Sequence, residues 1–161
     1  MLVPGVLALL PEYAGLTDPV AELRAACLAA VGSLTGEVEV VASAQGRRVA
    51  EHLLEVSGPR AGGETSYLVV GNGSAMRTEK APGHLDERAA AFDEALDKAL
   101  RTPDPAALAD LDEDLGAQLW ADVTALRALG GLLTDAHGTT VDYADDPFGV
   151  QYWVMRWRCD S

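Results

Sequence analysis

The chain is poor in the groups from which metal sites and disulfide frameworks are made. Its 161 residues include three histidines and two cysteines. His52, His84 and His137 stand far apart, and none has a second histidine or a cysteine three or four positions away, the spacing that places two such ligands on one helix face. Cys27 lies among alanines and Cys159 near the end, a spacing that reads as two free thiols rather than a bridge. Basic residues are scarce as well: 12 against 25 acidic ones, for a net charge of −13. Such a surface repels phosphate backbones and anionic lipid, which argues against nucleic acid and membranes as partners. No apolar run has the length of a membrane span. Leu2 to Leu10 is apolar, but Pro4 and Gly5 interrupt it and no basic residue precedes it, a poor signal peptide, so a cytoplasmic location is expected.

Familiar catalytic and nucleotide motifs are also missing. No phosphate-loop Gly-Lys-Ser/Thr occurs, and Gly71-Asn72-Gly73 lacks the last glycine of a dinucleotide fingerprint. Ser74 has Met76 where a nucleophile elbow would carry its final glycine. There is no internal repeat.

What is present is a chain of 48% hydrophobic residues, enough for one core, so residues 1–161 are read as a single domain. Leu2-Val3 opens a short strand. Asp18-Pro19 reads as N-cap and first position of a helix running to about Ser33, with Val20, Leu23, Cys27, Val31 and Leu34 on one face. Val38 to Ala42 is a second strand. A helix follows from about Gly46 to Val56, with Val49, Leu53 and Leu54 inward. Arg47 and Arg48 lie in its first turn, where a cation opposes the helix dipole. They suit either a bound anion or a pair between Arg47 and Glu51. Thr65 to Val70 is a third strand, continuous and apolar at its end like one covered on both faces. Asp86 to Arg101 is helical, with Leu85, Ala89, Phe92, Leu96 and Leu100 on one face. Asp104-Pro105 starts a short turn, and Asp112 to about Leu129 forms a further helix whose acidic start suits its dipole. Gly130-Gly131 releases the chain. Thr139–Tyr143 and Val150–Arg158 then form a hairpin.

These elements predict an α/β fold: a mostly parallel sheet with helices on both faces and a C-terminal antiparallel hairpin. In the last strand Val150, Tyr152, Val154 and Arg156 share one face, and Gln151, Trp153, Met155 and Trp157 the other. With both faces bulky, either the chain's own helices cover them or one face seats a partner. The second alternative gives the expectation of a two-fold homodimer.

Ligands of open α/β sheets bind beyond the carboxyl ends of the strands. Here that is the stretch after Val70, where Gly71 and Gly73 permit a positive φ and close backbone approach. It brings forward a polar cluster of Asn72, Gly73, Ser74, Arg77, Glu79, Lys80 and His84 as the candidate pocket. Arg77 and Lys80 could receive a small anionic ligand, or these cations could pair internally with Glu79 or Asp86.

The same stretch carries a resemblance. Gly71-Asn72-Gly73-Ser74-Ala75-Met76-Arg77, Glu79-Lys80-Ala81-Pro82-Gly83, Leu85-Asp86-Glu87-Arg88-Ala89 and Phe92-Asp93 resemble a bacterial branch of the class III extradiol ring-cleavage dioxygenases, similar to the catalytic B subunit. Pro147-Phe148-Gly149-Val150 and, loosely, Leu10-Pro11-Glu12 extend it. The resemblance implies an α/β domain, shorter than is usual in that family. It also implies a small aromatic ligand and non-haem Fe(II) held by two His and one Glu. A further acid–base His ends the family's Gly-Asp-x-Ser-His turn. That position is Ala75 here, and Val3-Pro4-Gly5-Val6 lacks the first metal His. The expectation is therefore a catalytically degenerate relative with no cofactor, binding a small molecule or serving assembly. The alternative is an active Fe(II) oxidoreductase.

Overall fold

The computed structural model describes residues 1–159. Three strands run parallel side by side: β2 (Val38–Val41), β3 (Ser66–Val70) and β1 (Leu2–Val3), with Val38 beside Ser66 and Leu2 beside Val69. Strand β5 (Tyr152–Cys159) lies antiparallel to β1, and β4 (Ala136–Asp145) antiparallel to β5, giving the order β2-β3-β1-β5-β4. The α/β class and the antiparallel pair match the expectation. The sheet is mixed, mostly but not wholly parallel, because β5 enters beside β1 in the opposite sense.

Alternation along the strands divides the core in two. Val3, Leu68, Val70, Tyr152 and Val154 face α1 (Ala21–Gly32) and α2 (Ala44–Val56). Leu2, Val69, Trp153 and Met155 face the other side, packed with residues of α3 (Arg88–Arg101), α4 (Pro105–Ala109), α5 (Glu113–Gln118) and α6 (Thr124–Leu132). Trp153 and Met155 are fully buried, and the indole N–H of Trp153 donates to Asp97 at 2.9 Å. Of the aromatic face on which the dimer expectation rested, Trp153 and Met155 are covered within the chain and Trp157 is partly exposed.

Several boundaries differ from the sequence reading. Helix α1 begins at Ala21, not at Pro19. Asp18 instead accepts from the Val20 amide and from Arg24, whose guanidinium also holds the carbonyls of Ala8 and Leu9. The Asp18 carboxylate braces a loop rather than capping a helix. Leu85 is not inward but about half exposed. Asp86 receives the Arg88 amide and its carbonyl that of Ala89, so Leu85 lies before the helix and outside its apolar face. Gly130-Gly131 does not end a helix; both lie inside α6. A Cβ on Gly130 would approach the Pro105 carbonyl at 2.8 Å, so glycine there lets α4 pack close.

The largest departure is the expected helix from Asp112 to Leu129, which is two helices with an elbow between them. Asp112 caps α5 by accepting the Leu115 amide. At its other end Trp120 takes φ +57, its amide bonds the Ala117 carbonyl, and the Ala121 amide bonds that of Gly116. This is the left-handed terminating turn that ordinarily uses glycine. The apolar spacing of Leu119, Val123 and Leu126 continues across the elbow, which hid the break. The indole of Trp120 is 57% exposed, so little packing offsets its backbone conformation. Trp120→Gly is therefore expected to stabilise, by about 1 kcal/mol or about 2–4 °C in thermal midpoint. Differential scanning calorimetry checks it; a lower midpoint would mean that indole contacts outweigh the strain.

Candidate functional site

The parallel strands end together, and three connections leave from that edge: Pro4-Gly5 after β1, Ala42-Ser43 after β2, and the long segment 71–87 after β3. Glycines let them crowd. A Cβ on Gly46 would lie 2.9 Å from Val70, and one on Gly71 would lie 2.8 Å from the Asp122 carbonyl. Neither Gly71 nor Gly73 has a positive φ. The expected glycine requirement is real, but its cause is close approach and not left-handed backbone.

The segment is stitched to two others by backbone bonds. Asn72 and Asp122 exchange amide and carbonyl at 3.2 and 3.1 Å, and the Ala75 amide reaches Leu119, so the α5–α6 elbow forms one wall. On the other side Gly73 donates to Gln151, Gln151 to Ser74, and Arg77 to Gly149. The second wall is the turn entering β5.

Between the walls sits Asp93 of α3, 2% exposed, a residue the sequence reading placed only within the family resemblance. It accepts from the Ser74 amide at 2.8 Å, the Ser74 hydroxyl at 2.6 Å and Arg77 Nη1 at 3.2 Å. Arg77 Nε reaches on to Asp146 at 2.6 Å. Arg77 is thus paired internally, but with Asp93 and Asp146. The expected partners Glu79 and Asp86 are not involved, and Asp86 holds Arg88. Ser74 is fully buried, so its hydroxyl does not face a ligand. The helical spacing of apolar residues around Phe92 gives no sign of Asp93. A buried carboxylate there could be inferred only by knowing that Ser74 and Arg77 arrive beside it.

Burial raises the Asp93 carboxyl above its ordinary value, against the Ser74 and Arg77 hydrogen bonds that lower it. For Arg77 burial disfavours the charge, but the bonds to Asp146 and Asp93 outweigh it and the net shift is upward. A second polar group lies at the ends of β1 and β2. Ser43 donates to Asp122 at 2.8 Å and accepts from the Gly46 amide, capping α2, while Gln45 donates to the Gly5 carbonyl. Arg47 does not pair with Glu51: it donates to the Val40 carbonyl, and Arg48 pairs with Glu12.

The predicted cluster therefore divides. Gly73, Ser74 and Arg77 belong to the Asp93 latch, and Asn72 to the elbow bridge. Glu79 and Lys80 are exposed and line an open cleft of about 510 Å³ with Thr78, Asp146, Pro147, Phe148 and Gly149. His84 lies outside that cleft at φ 64, its Nδ1 2.7 Å from the Glu79 carbonyl. His52 is on α2 and His137 on β4, in other parts of the fold. Among the described residues no three His, Cys, Asp or Glu side chains come together to hold an ion. Two imidazoles and a carboxylate for Fe(II) are thus not assembled, and the donor set does not fit that metal.

Fold and site define an α/β protein whose carboxyl-end loop is closed by a buried aspartate latch beside a shallow cleft. No family model, no curated protein and no solved structure matches the chain.

Removing the latch carboxylate leaves two buried Ser74 donors without an acceptor and Arg77 with Asp146 alone, so Asp93→Ala should cost about 1–3 kcal/mol for each stranded donor and rank above Ser74→Ala. Ser74→Ala should cost about 1–3 kcal/mol by taking a partner from a buried acceptor. Gly73→Ala should be severe too, because its Cβ would meet Asp93 Oδ1 and lie 2.8 Å from Gln151 Cβ. Lys80→Ala, on the surface, should change little. Urea unfolding of the four variants checks the ranking, and an Asp93→Ala protein as stable as the parent would refute the latch.

The pH sign follows from the raised native value. The contribution of Asp93 is most favourable below its unfolded value of 3.8 and weakens as pH rises through the native one. Asp93→Asn should remove that component from the stability–pH curve, measured by thermal midpoints across the acid range.

Proposed function

We propose that the chain is a catalytically silent relative of the class III extradiol ring-cleavage dioxygenases, working in the cytoplasm as a small-molecule-binding or assembly protein. The observation that carries this reading is the fate of the turn Gly71-Asn72-Gly73-Ser74-Ala75. Where the family turn ends in an acid–base histidine, this chain has Ala75, which is buried and bonded through its amide to Leu119. Ser74 and Arg77 beside it are consumed by Asp93. A turn whose polar groups are all spoken for supports holding a shape rather than moving protons.

The cleft alongside supplies the binding side of the proposal. Lys80 makes no ion pair among the described residues, and the Phe148 ring is about half exposed. A lysine and an aromatic face suit a small anionic or aromatic molecule. Tyr13 and Leu16, exposed on the loop before α1, are the side chains an assembly role would use.

Protein purified without chelators is expected to carry iron, zinc and manganese far below one equivalent per chain. It is also expected to leave catechol rings uncleaved after Fe(II) is added. Elemental analysis with an absorbance assay for ring opening checks both. Stoichiometric iron, lost together with ring-opening activity on chelation, would overturn the silent reading in favour of an active Fe(II) oxidoreductase.

A further inference from the structure

A cavity of about 740 Å³ lies at the opposite edge of the sheet, beneath the amino ends of the parallel strands where Ser66 and Tyr67 begin β3. Its size falls within the usual range for small-molecule sites. Strand β5 runs into it, and alternation along β5 gives the cavity two unlike sides. Trp157 belongs to the face packed with α3 to α6, and with Leu132 and Leu133 of the α6 end it makes an apolar wall. The Trp157 N–H is already used, donating to the Leu100 carbonyl at 3.0 Å, so what it offers the cavity is apolar ring. Arg158, one residue on, belongs to the other side, where the hydroxyl residues Ser33 and Thr35 follow α1.

Of the five cationic side chains without a carboxylate partner among the described residues, Arg47, Arg60, Lys80, Lys98 and Arg158, only Arg158 lines this cavity. Twenty-five acidic side chains stand against twelve basic ones in this chain. Arg24, Arg48, Arg77, Arg88, Arg101, Arg127 and Arg156 are each paired with a carboxylate. Arg158 lines the cavity and makes no ion pair among the described residues. Two arginines and one carboxylate, Glu64, contribute to the lining, and Arg156 is neutralised by Asp142 at 2.6 and 2.8 Å. The cavity thus joins an apolar wall to one guanidinium that has no ion pair among the described residues and whose planar fork matches a carboxylate.

We propose that this cavity is a binding site for an amphipathic monocarboxylate. Its hydrocarbon or aryl body lies on Leu132, Leu133 and Trp157, and its carboxylate meets Arg158 with the Thr35 hydroxyl nearby. The site is separate from the cleft at Lys80 and does not depend on it.

Titration calorimetry on the full chain at low salt tests the proposal with decanoate, using decanol as the uncharged counterpart and acetate as the head without the body. Decanoate should saturate one site per chain, with decanol and acetate at least about tenfold weaker. Arg158→Glu should weaken decanoate at least about tenfold and Arg158→Gln to a smaller extent, while Lys80→Glu leaves it unchanged. Thermal midpoints near that of the parent show that the variants are folded, as the exposure of Arg158 leads one to expect. Absence of saturable decanoate binding up to millimolar concentration overturns the proposal. So does decanol binding as tightly as decanoate, or loss of binding in Lys80→Glu with none in Arg158→Glu.

Discussion

The Asp93 carboxylate is the contact on which the carboxyl edge of the sheet depends. It stands on α3, yet all its hydrogen-bond donors come from the segment after β3. A carboxylate this buried is tolerated only when its acceptor sites are filled, and here an amide, a hydroxyl and a guanidinium fill them. Through Arg77 the same charge reaches Asp146 in the turn before β5. One side chain therefore fixes three pieces of chain that are remote in sequence. Gly73 is required because the carboxylate approaches so near, with the Trp153 ring 3.0 Å from where a Cβ would lie.

The latch belongs to a wider pattern in how this acidic chain uses its cations. Arg24 ties Asp18 to two loop carbonyls, Arg88 joins Asp86 to Gln118, and Arg156 closes on Asp142 across the β4–β5 ladder. Exposed pairs of this kind add little stability individually. Their effect is to hold loops in register while the remaining carboxylates keep the surface negative. Lys80 and Arg158 have no carboxylate partner among the described residues, and each lines a concave surface, one at either end of the sheet.

Strain follows the same geography. His84 and Trp120 are the described residues other than glycine with a left-handed φ, and both lie in segments that meet at Ala75. The Ala75 carbonyl receives Gly83, next to His84, and the Ala75 amide donates to Leu119, next to Trp120. Such outliers persist where surrounding contacts over-determine the backbone. Here the stitched elbow and the latch provide that constraint.

The sequence by itself determined what depends on local pattern. Alternation in β5 sorted Tyr152 and Val154 from Trp153 and Met155 onto two faces, as the two cores show. The apolar end of β3 and the spacing of Val49, Phe92, Leu96 and Leu126 located buried positions. The breaks at Gly71 and Gly73 located the edge where the loops gather. Only tertiary structure decided the rest, because it rests on partners far along the chain. Whether Ser74 faces solvent depends on Asp93, 19 residues on. The elbow at Trp120 exists because Leu119 and Asp122 lend their backbone to a loop more than 40 residues earlier. That Trp153 and Met155 of β5 are covered depends on four helices folding back over them. Periodicity reports which side of an element is apolar; it carries no record of what will lie against that side.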